Sequence, residues 1–425
     1  MKLREDLQFR GLIHQVTDAD VLDRLSAGGV TAYVGFDPTG PSLHLGHLLP
    51  ILMLRRLQLA GNRPIALAGG GTGLIGDPSF KDAERPLLDQ EQIEANLVTI
   101  REQLGRFLDF EPGPASALLL NNADWLTTIS LTDFLREVGK HFTVNQMIAK
   151  EAVRSRLDRD DVGLSFTEFS YMLLQAYDYL RLNVDRDCAL QMGGSDQWGN
   201  ITMGAELVRK VTGRTAFGLT MPLLLRADGK KFGKSESGNE SVWLDAARTS
   251  PYALYQFLLN SDDVITPQLL RFYTFLTHEE ILELDTALAS APQDRRAQRA
   301  LAHEIVTMVH DESAARAAAR AGAALFSEEI RELDEATLLQ IVADAPSSSL
   351  SRAELMDGVD VAELLARCEL ASSKAEARRF VEQGGVYVNN ERVAVSAALN
   401  VSALLHDRYL VLRRGRRQMH LVVVA

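Results

Sequence analysis

A pair of histidines is the first feature whose residue types and spacing could do chemistry. His44 and His47 lie in Pro38-Thr-Gly-Pro-Ser-Leu-His-Leu-Gly-His47, between one apolar run and the next. Residues three apart share one face of a helical turn, so both imidazoles could reach phosphate or ribose oxygens. The N–H groups at a helix N-terminus favour anions, and Gly46 leaves room for a flat ring. Either histidine alone would be interpreted as a capping or surface residue, but the combination predicts a phosphate site.

A lysine-rich loop much later in the chain supplies matching positive charge. In Asp228-Gly-Lys-Lys-Phe-Gly-Lys-Ser-Glu-Ser-Gly238, glycines flank three lysines. This composition suits a solvated loop that closes over a polyphosphate after it binds. An ordinary basic surface loop would be an equally good interpretation without the histidine motif. Together, the two segments favour polyphosphate binding.

Two better-known phosphate motifs are excluded by their context. Gly71-Thr-Gly-Leu-Ile-Gly76 matches the dinucleotide fingerprint, but Asp77-Pro78 follows at once, and proline opposes the helix that the fingerprint requires. Gly233-Lys-Ser235 has Asp228 where a Walker A loop has its first glycine. We therefore predict neither NAD binding nor a P-loop.

A polar stripe on an otherwise apolar helix predicts a ligand pocket. Ser165 and Glu168 have the spacing of a capping box, so a helix should begin there. Tyr171, Gln175 and Asp178 then fall at i, i+4 and i+7 on one face. Buried polar groups need partners, and a bound ligand can supply them. A solvated face is the alternative, which the apolar neighbouring residues disfavour.

The elements that must position these residues follow from hydrophobic periodicity. Short apolar runs alternate with amphipathic ones, which predicts strands and crossover helices of a parallel sheet. We predict strands at residues 31–36, 65–68, 118–120 and 189–192, and helices at residues 47–59, 90–108 and 168–182. An Ala-rich helical stretch follows. The predicted fold class is α/β: a Rossmann-like catalytic domain at 1–225, a lysine-loop and all-helical domain at 226–345, an acidic linker at 346–357 and a small α+β domain at 358–425.

Composition limits the class of protein. The 425 residues are 46% hydrophobic and 24% charged, and the net charge of −12 excludes a uniformly basic nucleic-acid coat. Residues 366–425 nevertheless hold ten Lys and Arg against five Asp and Glu, which indicates a local nucleic-acid contact. Two cysteines 180 positions apart argue against a disulfide framework or a Cys-based zinc site. With neither a signal peptide nor a membrane-length apolar run, we expect a cytoplasmic protein without a membrane partner.

The basic C-terminal segment has a pattern of its own. Lys374 and Arg378 share one helical face with Arg379 beside them, Gly384-Gly385 ends that helix, and Asn389-Asn390 predicts a hairpin turn. This pattern is similar to the S4-like RNA-binding domain. Arg413 and Arg414 in the run 413–417 would add phosphate contacts. A charged solubilising tail is the alternative, which the apolar alternation disfavours.

The two phosphate motifs identify a family. His44-Leu-Gly-His47 and Lys231-Phe-Gly-Lys-Ser235 resemble the HIGH and KMSKS signatures of class I aminoacyl-tRNA synthetases. Further matches narrow the resemblance to the bacterial tyrosyl-tRNA synthetases, over essentially the whole chain: Tyr33-Val-Gly-Phe-Asp37, Gly76-Asp-Pro78, Ser165-Phe-Thr-Glu-Phe-Ser-Tyr171, Gln175-Ala-Tyr-Asp178 and Gly193-Gly-Ser-Asp-Gln-Trp198. The resemblance implies L-tyrosine, ATP with its Mg²⁺ and tRNA(Tyr) as substrates, and a homodimer whose dimerisation segment is inserted in the catalytic domain.

The same resemblance implies residue roles. The tyrosine ammonium would be held by Asp77, Tyr171 and Gln175, and the phenol hydroxyl by Tyr33 and Asp178. Asp37 and Gln197 would lie near the amino acid and the adenylate. The phosphates would be held by Thr39, His44, Lys81, Arg85, Lys231 and Lys234. The ribose and adenosine side would involve Gly35, Gly46, His47, Gly193, Asp196 and Ser235. No dedicated metal ligands are expected.

Three other functions remain open from the sequence. A tryptophanyl-tRNA synthetase would share both signatures, but would ordinarily lack the S4-like segment and the pair Tyr33 and Asp178. A small-molecule nucleotidyltransferase could use the histidine motif alone, yet would have no use for an RNA-binding tail. A non-catalytic RNA-binding protein is the third, against which the lysines at 231 and 234 argue.

Overall fold

The computed structural model describes residues 2–77, 79, 89–157, 163–224, 232, 241–324, 328–342, 345–394, 398–415 and 418–425. The chain forms two compact units, Met1–Thr249 with Ser261–Leu301, and Ser250–Asn260 with Ala302–Ala425. Within the described residues, no helix has the length and apolar character needed to cross a membrane. The unit boundaries differ from the domain boundaries expected at 225, 345 and 357, because residues 302–342 belong to the same unit as the C-terminal sheet.

The helices, in chain order, are α1 (Leu3–Arg10), α2 (Asp20–Ala27), α3 (Leu45–Leu59), α4 (Gln90–Leu104), α5 (Ala123–Leu126), α6 (Leu131–Glu137), α7 (Val144–Ile148), α8 (Glu151–Leu157), α9 (Phe166–Arg186), α10 (Trp198–Thr212), α11 (Pro251–Leu259), α12 (Thr266–Tyr273), α13 (His278–Ser290), α14 (Arg296–Val309), α15 (Glu312–Ala324), α16 (Glu335–Ile341), α17 (Arg352–Met356), α18 (Val361–Arg367) and α19 (Lys374–Glu382). The strands are β1 (Gln15–Val16), β2 (Thr31–Phe36), β3 (Arg63–Ala68), β4 (Leu118–Asn121), β5 (Cys188–Gly194), β6 (Phe217–Met221), β7 (Ser347–Leu350), β8 (Val359–Asp360), β9 (Val386–Val388), β10 (Glu391–Arg392), β11 (Ala398–Leu399), β12 (Tyr409–Arg414) and β13 (Gln418–Val424).

The first unit is built on a six-stranded sheet in the order β1-β6-β5-β2-β3-β4. All neighbouring strands are parallel except β1 and β6. The predicted Rossmann-like sheet is confirmed, and it includes two strands that were not predicted, β6 and the two-residue edge strand β1. Because β2, β3 and β5 lie side by side, the residues that follow their carboxyl ends meet at one edge, where ligands of such sheets bind.

Helix α9 begins as its capping box predicts. Ser165 Oγ accepts a 3.2 Å hydrogen bond from the Glu168 N–H, and the Glu168 carboxylate accepts one of 3.3 Å from the Ser165 N–H. The helix runs to Arg186, four residues beyond the predicted end, and Asp187 closes it in a left-handed conformation with φ 51°. The capping box therefore sets where the helix begins. It thereby sets the position of Tyr171, Gln175 and Asp178 relative to the sheet edge.

The C-terminal sheet of the second unit has the order β10-β9-β12-β13-β7. Asn389 and Asn390 have positive φ angles of 47° and 63°, and β9 pairs antiparallel with β10, as the predicted hairpin requires. Helices α18 and α19 contribute to one apolar core with this sheet. The S4-like α+β fold is thus confirmed.

The segment expected to be a linker is part of this fold. Residues 347–350 form β7, which pairs in parallel with β13, and α17 follows directly. The prediction of a linker at 346–357 was wrong because a Ser-rich tract has few apolar side chains, whereas the pairing uses only its backbone. Upstream helical residues also join this unit: Ile330 and Leu338 share an apolar cluster with Tyr409 and Val411.

Candidate active site

A cavity of about 360 Å³ opens at the carboxyl edge of the first unit's sheet. Every described residue that the sequence assigns to tyrosine, ATP or catalysis lines it: Tyr33, Gly35, Asp37, Thr39, His44, Gly46, His47, Asp77, Tyr171, Gln175, Asp178, Gly193, Asp196 and Gln197. Lys81, Arg85, Lys231, Lys234 and Ser235 lie outside the described residues. Residues that are distant in sequence are thus brought to one site by β2, β5, α3 and α9.

The two histidines form a stacked pair at the start of α3. Their ring centroids are 3.8 Å apart with 14° between the planes. The Gly46 N–H donates to His44 Nδ1 at 3.1 Å, and the His44 N–H donates to His47 Nδ1 at 3.3 Å. Since both Nδ1 atoms accept, the proton of each neutral ring is on Nε2. Each imidazole can therefore donate one hydrogen bond to a phosphate or ribose oxygen.

Gly46 is required by the position of the His44 ring. A Cβ at residue 46 would lie 2.9 Å from His44 Cε1, closer than real Cβ contacts come. At Gly35 the situation is the reverse, because an added Cβ meets no described atom within 4 Å. The described residues do not fill the space above Gly35, so a ligand at the sheet edge could occupy it.

Asp178 lies buried at one end of the cavity and is held by two donors. Its Oδ1 accepts a 2.7 Å hydrogen bond from Trp125 Nε1, and its Oδ2 accepts one of 2.9 Å from Asn122 Nδ2. Burial raises the pKa of this carboxyl to about 7, although the two donors lower it. The carboxylate is therefore presented in a fixed orientation, with a proton affinity tuned to neutral pH.

Tyr33 supplies the second polar group at this end. Its hydroxyl is buried and has no hydrogen-bond partner among the described residues. Burial and the nearby Asp178 charge raise the pKa of this phenol well above its ordinary value, so the hydroxyl stays protonated. A buried hydroxyl without a partner is costly, and a ligand hydroxyl would satisfy it.

A chain of hydrogen bonds links this end of the cavity to its middle. Asn122 Nδ2 donates to Thr72 Oγ1 at 2.9 Å, and Thr72 Oγ1 donates to Asp37 Oδ1 at 2.7 Å. The Tyr171 hydroxyl donates to the other Asp37 oxygen at 2.8 Å. Burial, together with the charge of Asp37, raises the pKa of Tyr171 well above its ordinary value, so it acts as a donor. The network fixes the carboxylates of Asp37 and Asp178 through neutral side chains.

Amide side chains hold a third carboxylate on another wall. Gln197 Nε2 donates to Asp77 Oδ2 at 2.7 Å, Gln175 Nε2 donates to Gln197 Oε1 at 3.2 Å, and Asn200 Nδ2 donates to Gln175 Oε1 at 2.9 Å. With Asp37, Asp77 gives this part of the cavity negative charge. Opposite charge favours a cationic group such as an ammonium.

The glycine-rich segment after β3 packs against this network. A Cβ at Gly69 would lie 2.0 Å from Asp37 Oδ1. The Gly71 N–H donates to Asn122 Oδ1 at 2.8 Å, and residues 72–74 form only a single 3₁₀ turn. Two glycines of the fingerprint pattern also make room for protein side chains, since a Cβ at Gly71 would lie 3.0 Å from Leu126 Cβ and one at Gly73 would lie 3.2 Å from Pro38 Cδ.

Sequence reasoning missed the residues that orient the predicted ones, namely Thr72, Asn122, Trp125 and Asn200. Thr72 and Asn122 follow the carboxyl ends of β3 and β4 in loops without periodicity. Their position just after apolar runs was the available signal, since that edge of a parallel sheet is where ligands bind.

One residue of the lysine loop is described. The Phe232 N–H donates to the Leu224 carbonyl at 2.9 Å, and its ring centroid is 6.4 Å from that of Tyr273. Both aromatic rings line the cavity. Phe232 therefore belongs to the wall of the site.

The five residues expected to contact RNA have different environments. Lys374, Arg378 and Arg379 are exposed on α19, and Lys374 is within 3.2 Å of both Asp360 and Glu363. Arg414 donates to the Leu370 carbonyl at 2.7 Å. Arg413 is only 6% exposed, with its guanidinium 4.5 Å from the Tyr387 ring. We therefore withdraw Arg413 as a phosphate contact, because its charge is committed to the protein interior.

Comparison with known proteins places the chain among its relatives. A family model described as tRNA synthetases class I (W and Y) matches residues 26–327, and a tyrosine–tRNA ligase SYY-like C-terminal domain matches residues 337–422. The tyrosine–tRNA ligases of Roseiflexus castenholzii and Geobacillus stearothermophilus are 52% identical over 420 residues and 51% identical over 427 residues. The first alignment covers 98% of this chain and 98% of the relative, and the second covers 99% of each.

A solved structure agrees. The C-terminally truncated mitochondrial tyrosyl-tRNA synthetase of Aspergillus nidulans is 31% identical, with a TM-score of 0.69, and the match covers 76% of this chain and 94% of that one. The sequence matches extend over both units, and the described signature residues share one cavity. This chain belongs to the tyrosine–tRNA ligases, a family of class I aminoacyl-tRNA synthetases.

Proposed function

We propose that this chain joins L-tyrosine to tRNA(Tyr) in two steps. In the first, a carboxylate oxygen of tyrosine attacks the α-phosphorus of ATP, forming tyrosyl-adenylate as pyrophosphate leaves. In the second, a ribose hydroxyl of the 3′-terminal adenosine attacks the activated carbonyl and AMP leaves. Neither step needs a protein nucleophile, so the protein acts by alignment and by stabilising developing charge. The observation that carries the proposal is the buried pair Tyr33 and Asp178.

The phenol end of the cavity selects tyrosine. Asp178 accepts a hydrogen bond from the substrate hydroxyl, and the Tyr33 hydroxyl donates one to the oxygen of that hydroxyl. Phenylalanine would leave the buried Tyr33 hydroxyl without a partner and would offer Asp178 no hydrogen bond, which is costly. The fixed bonds from Trp125 and Asn122 support this role, since they hold the carboxylate where a ring hydroxyl can meet it.

The ammonium and carboxylate of tyrosine occupy the middle of the cavity. Asp77, Tyr171 and Gln175 hold the ammonium, and Asp37 and Gln197 lie beside the amino acid and the adenylate. The amide cluster around Asp77 supports this assignment because it leaves the site negatively charged. This end of the substrate is then oriented toward the phosphates bound at the start of α3.

The phosphates of ATP, with their accompanying Mg²⁺, bind near the histidine pair. Thr39, His44, Lys81, Arg85, Lys231 and Lys234 stabilise charge that builds on the leaving pyrophosphate. The ribose and adenosine side is held by Gly35, Gly46, His47, Gly193, Asp196 and Ser235. The Nε2 protons of both histidines and the open space above Gly35 support these roles.

The C-terminal domain contacts the tRNA backbone. Lys374, Arg378 and Arg379 present positive charge from α19, and Arg414 lies nearby on the strand that packs against it. Such contacts position an RNA without reading its sequence. The exposure of the three α19 residues supports this role.

The protein functions as a homodimer. Helices α6 and α7 and the start of α9 carry exposed apolar residues, namely Leu131, Leu135, Val144, Ile148 and Phe166. Large apolar side chains exposed in consecutive elements mark protein contact sites, and a second copy of this chain is the occupant that we propose. We further propose a cytoplasmic location, which two buried cysteines without a disulfide fit.

ATP–pyrophosphate exchange tests this function. Purified protein is assayed with tyrosine, with tryptophan, with phenylalanine and without an amino acid. We expect exchange with tyrosine alone. Exchange with tryptophan instead would refute the assignment of the pocket, exchange without an amino acid would favour a nucleotidyltransferase, and no exchange at all would favour a non-catalytic RNA-binding role.

A further inference from the structure

A short antiparallel bridge joins the histidine segment to residues 242–244, which lie after the lysine loop in sequence. The Leu45 N–H donates to the Val242 carbonyl at 2.8 Å, and the Leu244 N–H donates to the Leu43 carbonyl at 2.8 Å. His44 and Trp243 are the facing pair between these two bonds. The backbone that carries His44 is therefore hydrogen-bonded to the segment that directly follows the lysine loop in sequence.

The Trp243 side chain extends this connection to Gly40, which follows Thr39 in the chain. A Cβ at Gly40 would lie 3.2 Å from Trp243 Cη2 and 3.3 Å from Cζ3, tighter than most real contacts. The indole centroid is also 6.1 Å from that of His44. The ring thus lies against Gly40, the residue that follows Thr39, and beside His44.

Trp243 is itself held from outside the bridge. The backbone N–H of Trp243 donates to Thr249 Oγ1 at 2.9 Å, and the Arg248 guanidinium lies 5.9 Å from the centroid of the Trp243 ring. The flanking residues Val242 and Leu244 are buried. A partly buried aromatic ring, fixed at its backbone and covered by a cation, has few alternative positions.

We propose that Trp243 is a positioning residue for tyrosine activation, which sets the placement of Thr39 and His44 against the phosphates of ATP. This inference rests on the proposed function of the site. Trp243 is not among the residues that line the cavity, so it acts through Gly40 and His44, beside which its ring lies. Displacing a phosphate-binding group by about 1 Å can lower a rate on the order of 100-fold.

This placement predicts that loss of the indole affects the rate of tyrosine activation but not the binding of tyrosine. A merely structural role would affect both. The tyrosine subsite is built from β2, the loops after β3 and β4, and α9, none of which Trp243 contacts in a described interaction. Loss of the indole should therefore lower kcat for pyrophosphate exchange while the Kd for tyrosine stays within about twofold.

The experiment uses the full chain and four variants: Trp243→Phe, Gly40→Ala, their combination, and Gly113→Ala as a control. Gly113 lies in an exposed turn, where a Cβ would come no closer than 3.9 Å to its nearest neighbour. Exchange kinetics, tyrosine Kd by equilibrium dialysis and thermal unfolding are measured for each. Gly40→Ala should lower kcat about 10-fold or more, because the methyl group pushes against the indole.

The double variant decides the outcome. Phenylalanine has no atoms where Cη2 and Cζ3 lie, so Trp243→Phe should relieve the crowding and restore part of the kcat that Gly40→Ala loses. The proposal is overturned if the two effects simply multiply, or if tyrosine Kd and unfolding temperature worsen in step with kcat. Absence of tyrosine-dependent exchange in the unaltered protein would instead refute the proposed function, so the two failures are distinguishable.

Discussion

The indole N–H of Trp125 donates a 2.7 Å hydrogen bond to Oδ1 of the buried Asp178. This bond favours the ionised carboxylate, whereas burial opposes it, and the balance sets the pKa of Asp178 at about 7. In the proposed reaction, the ionised form is the one that accepts a hydrogen bond from the tyrosine hydroxyl. The proposed recognition of tyrosine thus depends on Trp125, which is not among the site residues predicted from the sequence.

Trp125→Phe should raise the pKa of Asp178, because a donor to the carboxylate is lost while burial persists. We expect kcat/KM for tyrosine in pyrophosphate exchange to fall about 3- to 10-fold at pH 7, because a tenfold rise in the proton affinity of Asp178 lowers its ionised fraction from about one half to about one tenth. The loss should shrink as the pH rises to 9. A loss that is constant between pH 6 and pH 9 would show that the indole acts only by packing.

Asp178→Asn tests the same titration through stability. The pKa of Asp178 is raised above the value of about 4 for an unfolded aspartate, so protonation favours the folded state. This contribution is fully present below pH 4 and is lost as the pH rises through about 7. Denaturant unfolding should therefore show the protein losing stability relative to the variant between about pH 4 and pH 7. Parallel pH curves would contradict this.

Leu131→Glu should weaken the proposed homodimer. Leu131 is 73% exposed on α6, and a carboxylate placed in an apolar interface would be desolvated without a partner. Sedimentation velocity should show a dimer for the unaltered protein and a larger monomer fraction for the variant. Val264→Glu is the matched control, because Val264 is at least as exposed, at 86%, but lies outside α6 to α9. An unaltered protein that sediments as a monomer would refute the dimer.

Arg379→Glu tests the RNA contact of α19. We expect kcat/KM for tRNA in aminoacylation to fall, and its dependence on the logarithm of salt concentration to lose a slope of about 1, as for one phosphate contact. Exchange kinetics should not change. Arg101→Glu, which alters an exposed arginine of α4, is the control and should affect neither assay. Equal losses in exchange and aminoacylation would contradict a role in RNA binding.

Much of the site could be predicted because its residues belong to local patterns. The histidine pair precedes an apolar helix, and Tyr171, Gln175 and Asp178 follow a helical period behind a capping box. Asn122 and Trp125 could not be predicted in this way, since their roles depend on β4 lying next to β3 in the sheet. That adjacency depends on pairing between distant segments, and the hydrophobic periodicity within one segment does not indicate which strand it pairs with.

The two corrected expectations have a similar cause. Arg413 belongs to a basic run, but its strand is covered on both faces, so its guanidinium is buried against Tyr387. Residues 347–350 are rich in serine, yet their backbone pairs with β13. Composition reports side chains, whereas burial and strand pairing depend on the neighbours that the fold supplies.

The central claim is that Tyr33 and Asp178 recognise the phenol hydroxyl, and Tyr33→Phe tests it most directly. The variant removes only the hydroxyl that lacks a partner among the described residues. The measurement is the ratio of kcat/KM for tyrosine to that for phenylalanine in pyrophosphate exchange. We predict that the ratio falls about 3- to 10-fold, since tyrosine loses one hydrogen bond while phenylalanine no longer buries an unsatisfied hydroxyl. An unchanged ratio would contradict the account.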